Sequence, residues 1–127
     1  MRSKAVGIML GAVLLLSGCS SSSSGETMAH GQPLSHWLQE IKTASDTKAR
    51  KHAARILGNI GPVDAAIVPA LAAALQDKAA DVRLEAITAL EKIGPAARDA
   101  LPALEAAKKD PDARVRTLAA EALKRMQ

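Results

Sequence analysis

The sequence lacks the residues from which several common folds and sites are built. Its 127 residues include no Phe and no Tyr, and Trp37 is the single aromatic. Such a chain cannot build the aromatic-rich core of a β-sandwich. One cysteine, Cys19, excludes a disulfide framework and a cysteine-based zinc site. The chain instead contains 27 alanines and many leucines, which favours closely packed helices.

A strong excess of one charge is also missing. The formal net charge of +4 includes Arg2 and Lys4, which lie in a segment that we expect to be removed. Without these two, 15 Lys and Arg residues face 13 Asp and Glu residues. Nucleic-acid binding usually shows as a basic stripe with stacking aromatics. Neither is present, so we predict no nucleic-acid partner.

Motifs that carry chemistry are equally scarce. The sequence contains no phosphate-binding loop, dinucleotide fingerprint or zinc-protease motif. Its three histidines, His30, His36 and His52, are not followed by acidic residues. The acidic residues fall in positions that we expect to be exposed, whereas acid–base catalysis requires desolvated groups. From these residues we predict no metal, no cofactor and no catalytic side chain.

The first 18 residues have the organisation of an export signal. Arg2 and Lys4 form a basic head, and an uncharged, mostly apolar stretch follows over residues 5–16. A helix of that length spans roughly 18 Å, whereas the hydrocarbon core of a bilayer is about 30 Å thick. The segment therefore predicts a signal peptide over residues 1–18 rather than a permanent membrane span.

The end of this segment resembles the lipobox of bacterial lipoproteins. The four residues are Leu16, Ser17, Gly18 and Cys19. In that family the cysteine thiol receives a diacylglycerol and the peptide is cut before it. The resemblance implies a lipid anchor at Cys19 in the bacterial cell envelope; with Ser at position 20 it implies the outer membrane, facing the periplasm, where two membranes are present. Residues 19–33, which include a run of five serines, are expected to be a flexible tether.

The rest of the chain repeats with a period of 33 residues. Ile-Gly-Pro at 60–62 recurs at 93–95, and Val-Arg at 82–83 recurs at 115–116. The Asp at 77 recurs at 110 in the same register. Each unit reads as two helices, and the clearest is the apolar stripe over 81–93, which Gly94 and Pro95 end. We therefore predict an all-α fold over residues 34–127, a short, armadillo-like α-solenoid of three helical hairpins.

These repeats resemble HEAT repeats, specifically the short bacterial type first associated with phycobilin lyases. The resemblance implies that Asp77, Arg83, Asp110 and Arg116 form a hydrogen-bonded ladder between adjacent units. An anion site lined by the arginines is the alternative.

In HEAT folds the second helices line a concave face, and that face is our candidate interaction surface. The residues expected to form it are Gln39, Glu40, Thr43, Ala72, Ala73, Gln76, Glu105, Ala106 and Lys109. Small central residues with a polar rim suit a partner helix or an extended peptide. A second candidate is the basic run over residues 48–55, which could contact anionic lipid head groups.

Two classes of function remain. The first is a lipid-anchored, non-catalytic interaction scaffold that binds a protein partner. The sequence does not distinguish such a scaffold from a structural envelope protein that has no partner. The second is an enzyme or accessory factor related to HEAT-like phycobilin lyases or to deoxyhypusine hydroxylase, which binds iron through His-Glu pairs. The sequence has no His-Glu pair. We therefore expect the first class and no enzymatic role.

Overall fold

The structure, a computed structural model, describes residues 26–127. The predicted signal peptide, the lipobox at 16–19 and the serine run lie outside these residues. Two short strands, β1 (Met28–Ala29) and β2 (Gln32–Pro33), come first. The helices that follow are α1 (Leu34–Thr43), α2 (Thr47–Ile60), α3 (Ile67–Ala74), α4 (Ala80–Ile93), a 3₁₀ helix (Gly94–Ala100), α5 (Leu101–Ala107) and α6 (Ala113–Met126).

These helices pack as three hairpins in two layers. Helix α1 packs on α2, α3 on α4, and α5 on α6. The long helices α2, α4 and α6, each of 14 residues, lie side by side in one layer, and the short helices α1, α3 and α5 form the other. The predicted all-α solenoid of helical hairpins is thereby confirmed. Among the helices of residues 26–127, none has the length and apolar character needed to cross a bilayer.

Repeated glycines end the long helices. Gly61 follows α2 with φ at 82° and Gly94 follows α4 with φ at 74°, so both adopt the left-handed conformation that glycine tolerates. Their N–H groups donate to the carbonyl oxygens of Leu57 and Leu90, which closes the last turn of each helix. The Ile-Gly-Pro repeat in the sequence therefore marks the turn from a long helix to the next short one.

Small side chains stand at the points of closest approach between the long helices. Ala53, Ala86 and Ala119 occupy the same position in three successive units, and each is fully buried. Gly58 of α2 lies so close to Ala89 of α4 that an added Cβ would stand 2.6 Å from the Ala89 Cβ. The Ala-rich composition therefore serves close approach of neighbouring repeats, which larger side chains would prevent.

The segment before α1 is folded onto the first hairpin, contrary to the expected tether over residues 19–33. Strands β1 and β2 pair antiparallel, and the turn between them places His30 and Gly31 at positive φ. The indole N–H of Trp37 donates to the Ala29 carbonyl at 3.0 Å. A buried indole needs such an acceptor, and the hairpin supplies it. Residues 26–33 therefore belong to the folded body.

Substitution of Gly58 by alanine tests the close approach of α2 and α4. Alanine in a helix interior normally gains about 1 kcal/mol over glycine, but overpacking at this contact costs about 1–3 kcal/mol. We expect the Gly58→Ala variant to lose about 1 kcal/mol of unfolding free energy, a fall in Tm of about 5 °C. Thermal unfolding followed by circular dichroism measures this.

The matched control adds Ala89→Gly, which removes the nearest clashing atom. The double variant should lose less stability than the sum of the two single variants. A Tm for Gly58→Ala equal to or above that of the unsubstituted protein would contradict the tight contact.

Candidate functional site

A ladder of partly buried arginine–aspartate pairs joins successive hairpins on the loop side of the solenoid. The first rung connects Arg50 of α2 to Asp77, which follows α3: Nε donates to Oδ2 at 2.8 Å and Nη2 to Oδ1 at 3.1 Å. Nη1 donates to the carbonyl oxygens of Ala44 and Ser45 at 2.8 and 3.2 Å. Arg50 is only 4% exposed, so its charge is neutralised within the fold.

The second rung repeats this arrangement one unit further on. Arg83 Nη2 donates to Asp110 Oδ1 at 3.0 Å. Its Nε lies 2.9 Å from Oδ2, as an ion pair whose N–H is poorly aligned for a hydrogen bond. Arg83 Nη1 donates to the backbone carbonyl of Asp77 at 2.7 Å. Each arginine therefore ties the loop before its own helix to the carboxylate of the next unit.

The ladder between adjacent units is present, and its carboxylate pairs join residues that are far apart in the sequence. Asp77 and Arg83 are six residues apart, but they meet only through the Asp77 carbonyl. The carboxylate partner of each arginine lies 27 residues after it. Arg50 was not among the residues predicted for the ladder, although Arg50 and Asp77 stand 33 positions before Arg83 and Asp110. The 33-residue register was the signal in the sequence that could have assigned Arg50 to the ladder.

This result also corrects the basic surface that we expected over residues 48–55. Arg50 is buried in the first rung and is not available to lipid head groups. Arg55 Nε lies 3.4 Å from Glu85 Oε1 on α4. Lys48 and His52 remain exposed and Lys51 is half-buried, so the patch carries less free charge than the sequence suggests.

Electrostatics within the first rung favour the ionised pair. Burial alone raises the pKa of Asp77, but hydrogen bonds from Arg50 and from the Ala79 N–H outweigh it and hold the pKa below its usual range. The hydrogen bond to Asp77 in turn raises the pKa of Arg50. Both groups therefore stay charged at neutral pH, and the rung is an ion pair.

The last arginine of the series lacks a carboxylate. Arg116 Nη1 donates to the carbonyl oxygens of Asp110 and Pro111 at 2.7 and 3.1 Å, as Arg50 does in the first unit. Within residues 26–127, no Asp or Glu pairs with it. Its side chain is exposed on α6. The ladder thus ends in an unpaired, partly oriented guanidinium.

The candidate interaction residues lie on the outer side of the short helices, which we call the short-helix face. Those exposed are Gln39, Thr43, Ala73, Gln76, Glu105, Ala106 and Lys109; Glu40 and Ala72 are half-buried.

The structure divides this face between two separate grooves. Gln39, Glu40 and Thr43 line a groove of about 480 Å³ along α1. Gln76 and Ala106 line a smaller one of about 260 Å³ between α3 and α5.

Three histidines meet around the only tryptophan, an arrangement that the sequence analysis missed. The ring centroids of His36, His52 and His30 lie 4.9, 5.5 and 6.4 Å from that of Trp37, all edge-on. The sequence placed His30 in the tether, and no repeat spacing links the three. In the part of the chain that the structure describes, no group of three or more His, Cys, Asp or Glu side chains is arranged to hold a metal ion.

The stacked hairpins and their ladder define the class of α-solenoid repeat proteins. A family model for HEAT repeats matches residues 34–124, and the chain belongs to the HEAT repeat family. No curated protein matches the chain.

Among solved structures, the chain is similar to a chain in "The structure of the complex of CpcE and CpcF of phycocyanin lyase from Nostoc sp. PCC7120". The two share 32% sequence identity with a TM-score of 0.65. The match covers 82% of this chain but only 42% of the other. This chain therefore corresponds to less than half of that lyase chain.

This similarity corrects our expectation that the chain has no enzymatic role. That expectation rested on the absence of His-Glu pairs and of other catalytic motifs. At 32% identity the chain is similar to a chain of a phycocyanin lyase complex, so the expectation was wrong. The missing His-Glu pairs concerned only the hydroxylase resemblance and were no test of a lyase-related role.

The rung between Arg50 and Asp77 predicts an acid-sensitive contribution to stability. The folded-state pKa of Asp77 lies below the ordinary value that this aspartate has in an unfolded chain. The stabilisation is therefore complete above that value and is lost as the pH falls through the lower, folded-state pKa. An Asp77→Asn variant leaves the buried guanidinium without its counter-charge, and we expect a loss of about 3 kcal/mol at neutral pH.

Urea unfolding at a series of pH values measures this effect. The difference in unfolding free energy between Asp77→Asn and the unsubstituted protein should be largest at neutral pH and should decrease in acid. The exposed Asp99, changed to Asn, controls for general loss of negative charge. A difference in unfolding free energy that stays constant at all pH values would show that the charge of Asp77 does not stabilise the rung.

Proposed function

We propose that the chain is a lyase-related HEAT-repeat protein that acts in complex with a partner protein. The observation that carries this proposal is the similarity, at 32% identity, to a chain whose structure is that of a two-protein lyase complex. Because this chain spans 42% of that one, lyase-related chemistry is assigned to the assembled complex rather than to a pocket in this chain. HEAT solenoids suit this role, since their stacked hairpins present long continuous surfaces.

We assign partner binding to the short-helix face. Ala73 is exposed there and Ala72 is half-buried, so a helix or extended peptide can approach the backbone of α3 closely. Gln39 and Gln76 add exposed amide groups on either side, which can donate and accept hydrogen bonds. An apolar centre with a polar rim is the usual composition of a protein-binding patch.

We further propose that Cys19 anchors the protein to a bacterial membrane through attached acyl chains. The support is the lipobox resemblance at residues 16–19. Each buried methylene stabilises membrane attachment by about 0.8 kcal/mol, and two or more chains hold durably. The proposed location is the cell envelope, on the outer membrane and facing the periplasm where two membranes exist. The partner would then be an envelope protein.

Mass spectrometry of the protein isolated from membranes tests the anchor. We expect a mature N-terminus at Cys19 that carries acyl mass, and a Cys19→Ala variant that remains unprocessed. Ser17→Ala, which keeps a small residue before Gly18, should be processed normally. A mature chain that begins elsewhere, or that lacks acyl mass, would refute lipidation.

Photo-crosslinking from Gln76, followed by titration of the identified partner, tests the short-helix face. We expect Ala73→Arg to weaken partner binding about tenfold or more, because a long charged side chain blocks close approach, a loss of about 1.4 kcal/mol. Ala96→Arg, on the exposed part of the 3₁₀ helix, is the matched control and should bind normally. Equal affinity for both variants would remove this face from the proposal.

A further inference from the structure

We infer that one edge of the solenoid rests on a lipid bilayer, so that the anchored protein has a fixed orientation. This edge, which we call the turn edge, consists of the turns that follow α2 (residues 61–66) and α4 (residues 94–100), together with residues 26–28. The inference rests on the proposed lipid anchor at Cys19. It adds the surface that faces the lipid and the chemistry of the contact.

The two turns lie at the same edge because the long helices run in the same direction. In the middle of these helices, Arg55 Nε of α2 lies 3.4 Å from Glu85 Oε1 of α4. Near their ends, Lys92 Nζ of α4 donates to Asn59 Oδ1 of α2 at 3.0 Å. Corresponding positions therefore stand side by side, as in successive repeats of a solenoid. The turns that follow the two helices leave from one edge, opposite the arginine–aspartate ladder.

The first described residues lie at this same edge. Glu26 and Thr27 line a groove together with Val63 and Ala66 from the turn after α2. The carbonyl oxygen of Thr27 accepts the N–H of Leu34 at 2.8 Å, which holds this segment against the start of α1. The covalent connection between the folded body and Cys19 therefore starts at the turn edge.

The length of this connection limits how far the turn edge can lie from the lipid. Glu26 is seven residues after Cys19, and seven residues span at most about 25 Å when fully extended. Helix α2, with 14 residues, is about 21 Å long. With the opposite edge on the bilayer, Glu26 would stand more than this length above the lipid, close to the limit of the connection. With the turn edge on the bilayer, the connection is far from its limit.

The two edges of the solenoid differ in their content of charged residues. The opposite edge, which we call the ladder edge, consists of the loops 44–46, 75–79 and 108–112. These loops contain seven charged residues among 13, whereas the turns 61–66 and 94–100 contain three among 13. Lipid contact at the turn edge therefore removes fewer charges from water. The exposed apolar residues of the two turns are Pro62, Val63, Ala65, Ala66, Pro95 and Ala96.

The large apolar side chains that the solenoid exposes also lie at this edge. Among residues 26–127, these are Met28 and Val63, which are 61% and 62% exposed. Val63 belongs to the turn after α2, and Met28 follows Thr27 directly. Single exposed apolar residues are common on protein surfaces. Here both lie where the connection to the anchor starts, so that one contact with the bilayer can bury both.

Charges around the turn edge balance, so this contact does not depend on the charge of the lipid. With the last turns of the long helices included, the acidic residues are Glu26, Asp64, Glu91 and Asp99, and the basic ones are Lys92, Arg98, Lys124 and Arg125. Glu91 pairs with Arg125. A zwitterionic bilayer surface fits this edge, whereas a basic patch would require anionic head groups.

A weak contact is sufficient because the anchor keeps the turn edge beside the lipid. A short connection gives the second of two linked contacts an effective concentration in the millimolar range. A surface of small apolar side chains is therefore occupied when anchored, although it would not hold a free protein on a bilayer. In this orientation the outer side of the short helices faces along the membrane, so the short-helix face stays open to a partner.

Photo-crosslinking to lipid tests this orientation. The protein is produced from the full-length chain, isolated from membranes, reconstituted in phosphatidylcholine vesicles and irradiated. The photoreactive residue replaces Ala65 or Ala96 at the turn edge, Lys78 at the ladder edge, or Ala73 on the short-helix face, all of which are exposed. Intact-mass spectrometry measures the yield of lipid adducts. We expect yields at Ala65 and Ala96 at least tenfold above those at Lys78 and Ala73.

Charge placed at the turn edge should weaken the contact. We expect Met28→Glu combined with Val63→Glu to lower the adduct yield at Ala96 at least fivefold. The matched control combines Ala73→Glu with Ala106→Glu, two exposed positions on the short-helix face, and should leave the yield unchanged. Circular dichroism should show the same helix content for both double variants. Replacement of half the phosphatidylcholine by phosphatidylglycerol should change the yield less than twofold.

Several results would overturn the inference. These are equal yields at all four positions, a higher yield at Lys78 than at Ala96, adducts with protein in place of lipid, no effect of the Met28 and Val63 substitutions, or a several-fold rise with phosphatidylglycerol. The acyl mass at Cys19 is measured in the same sample. Acylated protein without lipid adducts at the turn edge would refute the orientation alone, whereas missing acyl mass would refute the anchor and this inference together.

Discussion

A buried guanidinium must find a carboxylate, and in this protein it finds one only in the next repeat. Arg50 is almost fully enclosed, and a charge left unpaired at such depth would cost several kcal/mol. Its partner Asp77 lies beyond the following hairpin's first helix, so the pair forms only when successive hairpins stack in register. The same side chain binds the loop that precedes α2. One residue therefore links its own helix, the loop directly before that helix, and the loop after α3, 27 residues further along the chain.

Close packing of the long helices complements this linkage. Gly58 and Ala89 allow α2 and α4 to approach until their backbones are nearly in contact, and the buried alanines fill what space remains. The short helices contribute less to this tight layer and expose more of their residues. In the proposed function, the layer of long helices therefore provides stability and the short-helix face provides partner binding.

The parts of the structure that follow from local periodicity could be predicted from the sequence. The helix expected over 81–93 lies at Ala80–Ile93 as α4, because its apolar stripe and the glycine after it are visible in the sequence.

Contacts that depend on the distance between hairpins could not be predicted in the same way. The pairing of Arg83 with Asp110 rather than with Asp77 is set by the rise from one repeat to the next. The strands at 28–33 are too short to show a period. The expectation of no enzymatic role was wrong for a different reason, since it rested on missing motifs, whereas the similarity to a chain of a phycocyanin lyase complex is spread over the repeats.

The position of Trp37 has a consequence for how this protein can be observed. It is the only indole in the chain, and it sits in the first hairpin, enclosed by β1 and three imidazole rings. Intrinsic fluorescence therefore reports the terminal repeat alone, whereas circular dichroism averages over all helices. In a linear array of repeats the ends can open before the middle. The separation between the two optical melting curves thus measures how strongly neighbouring repeats cooperate.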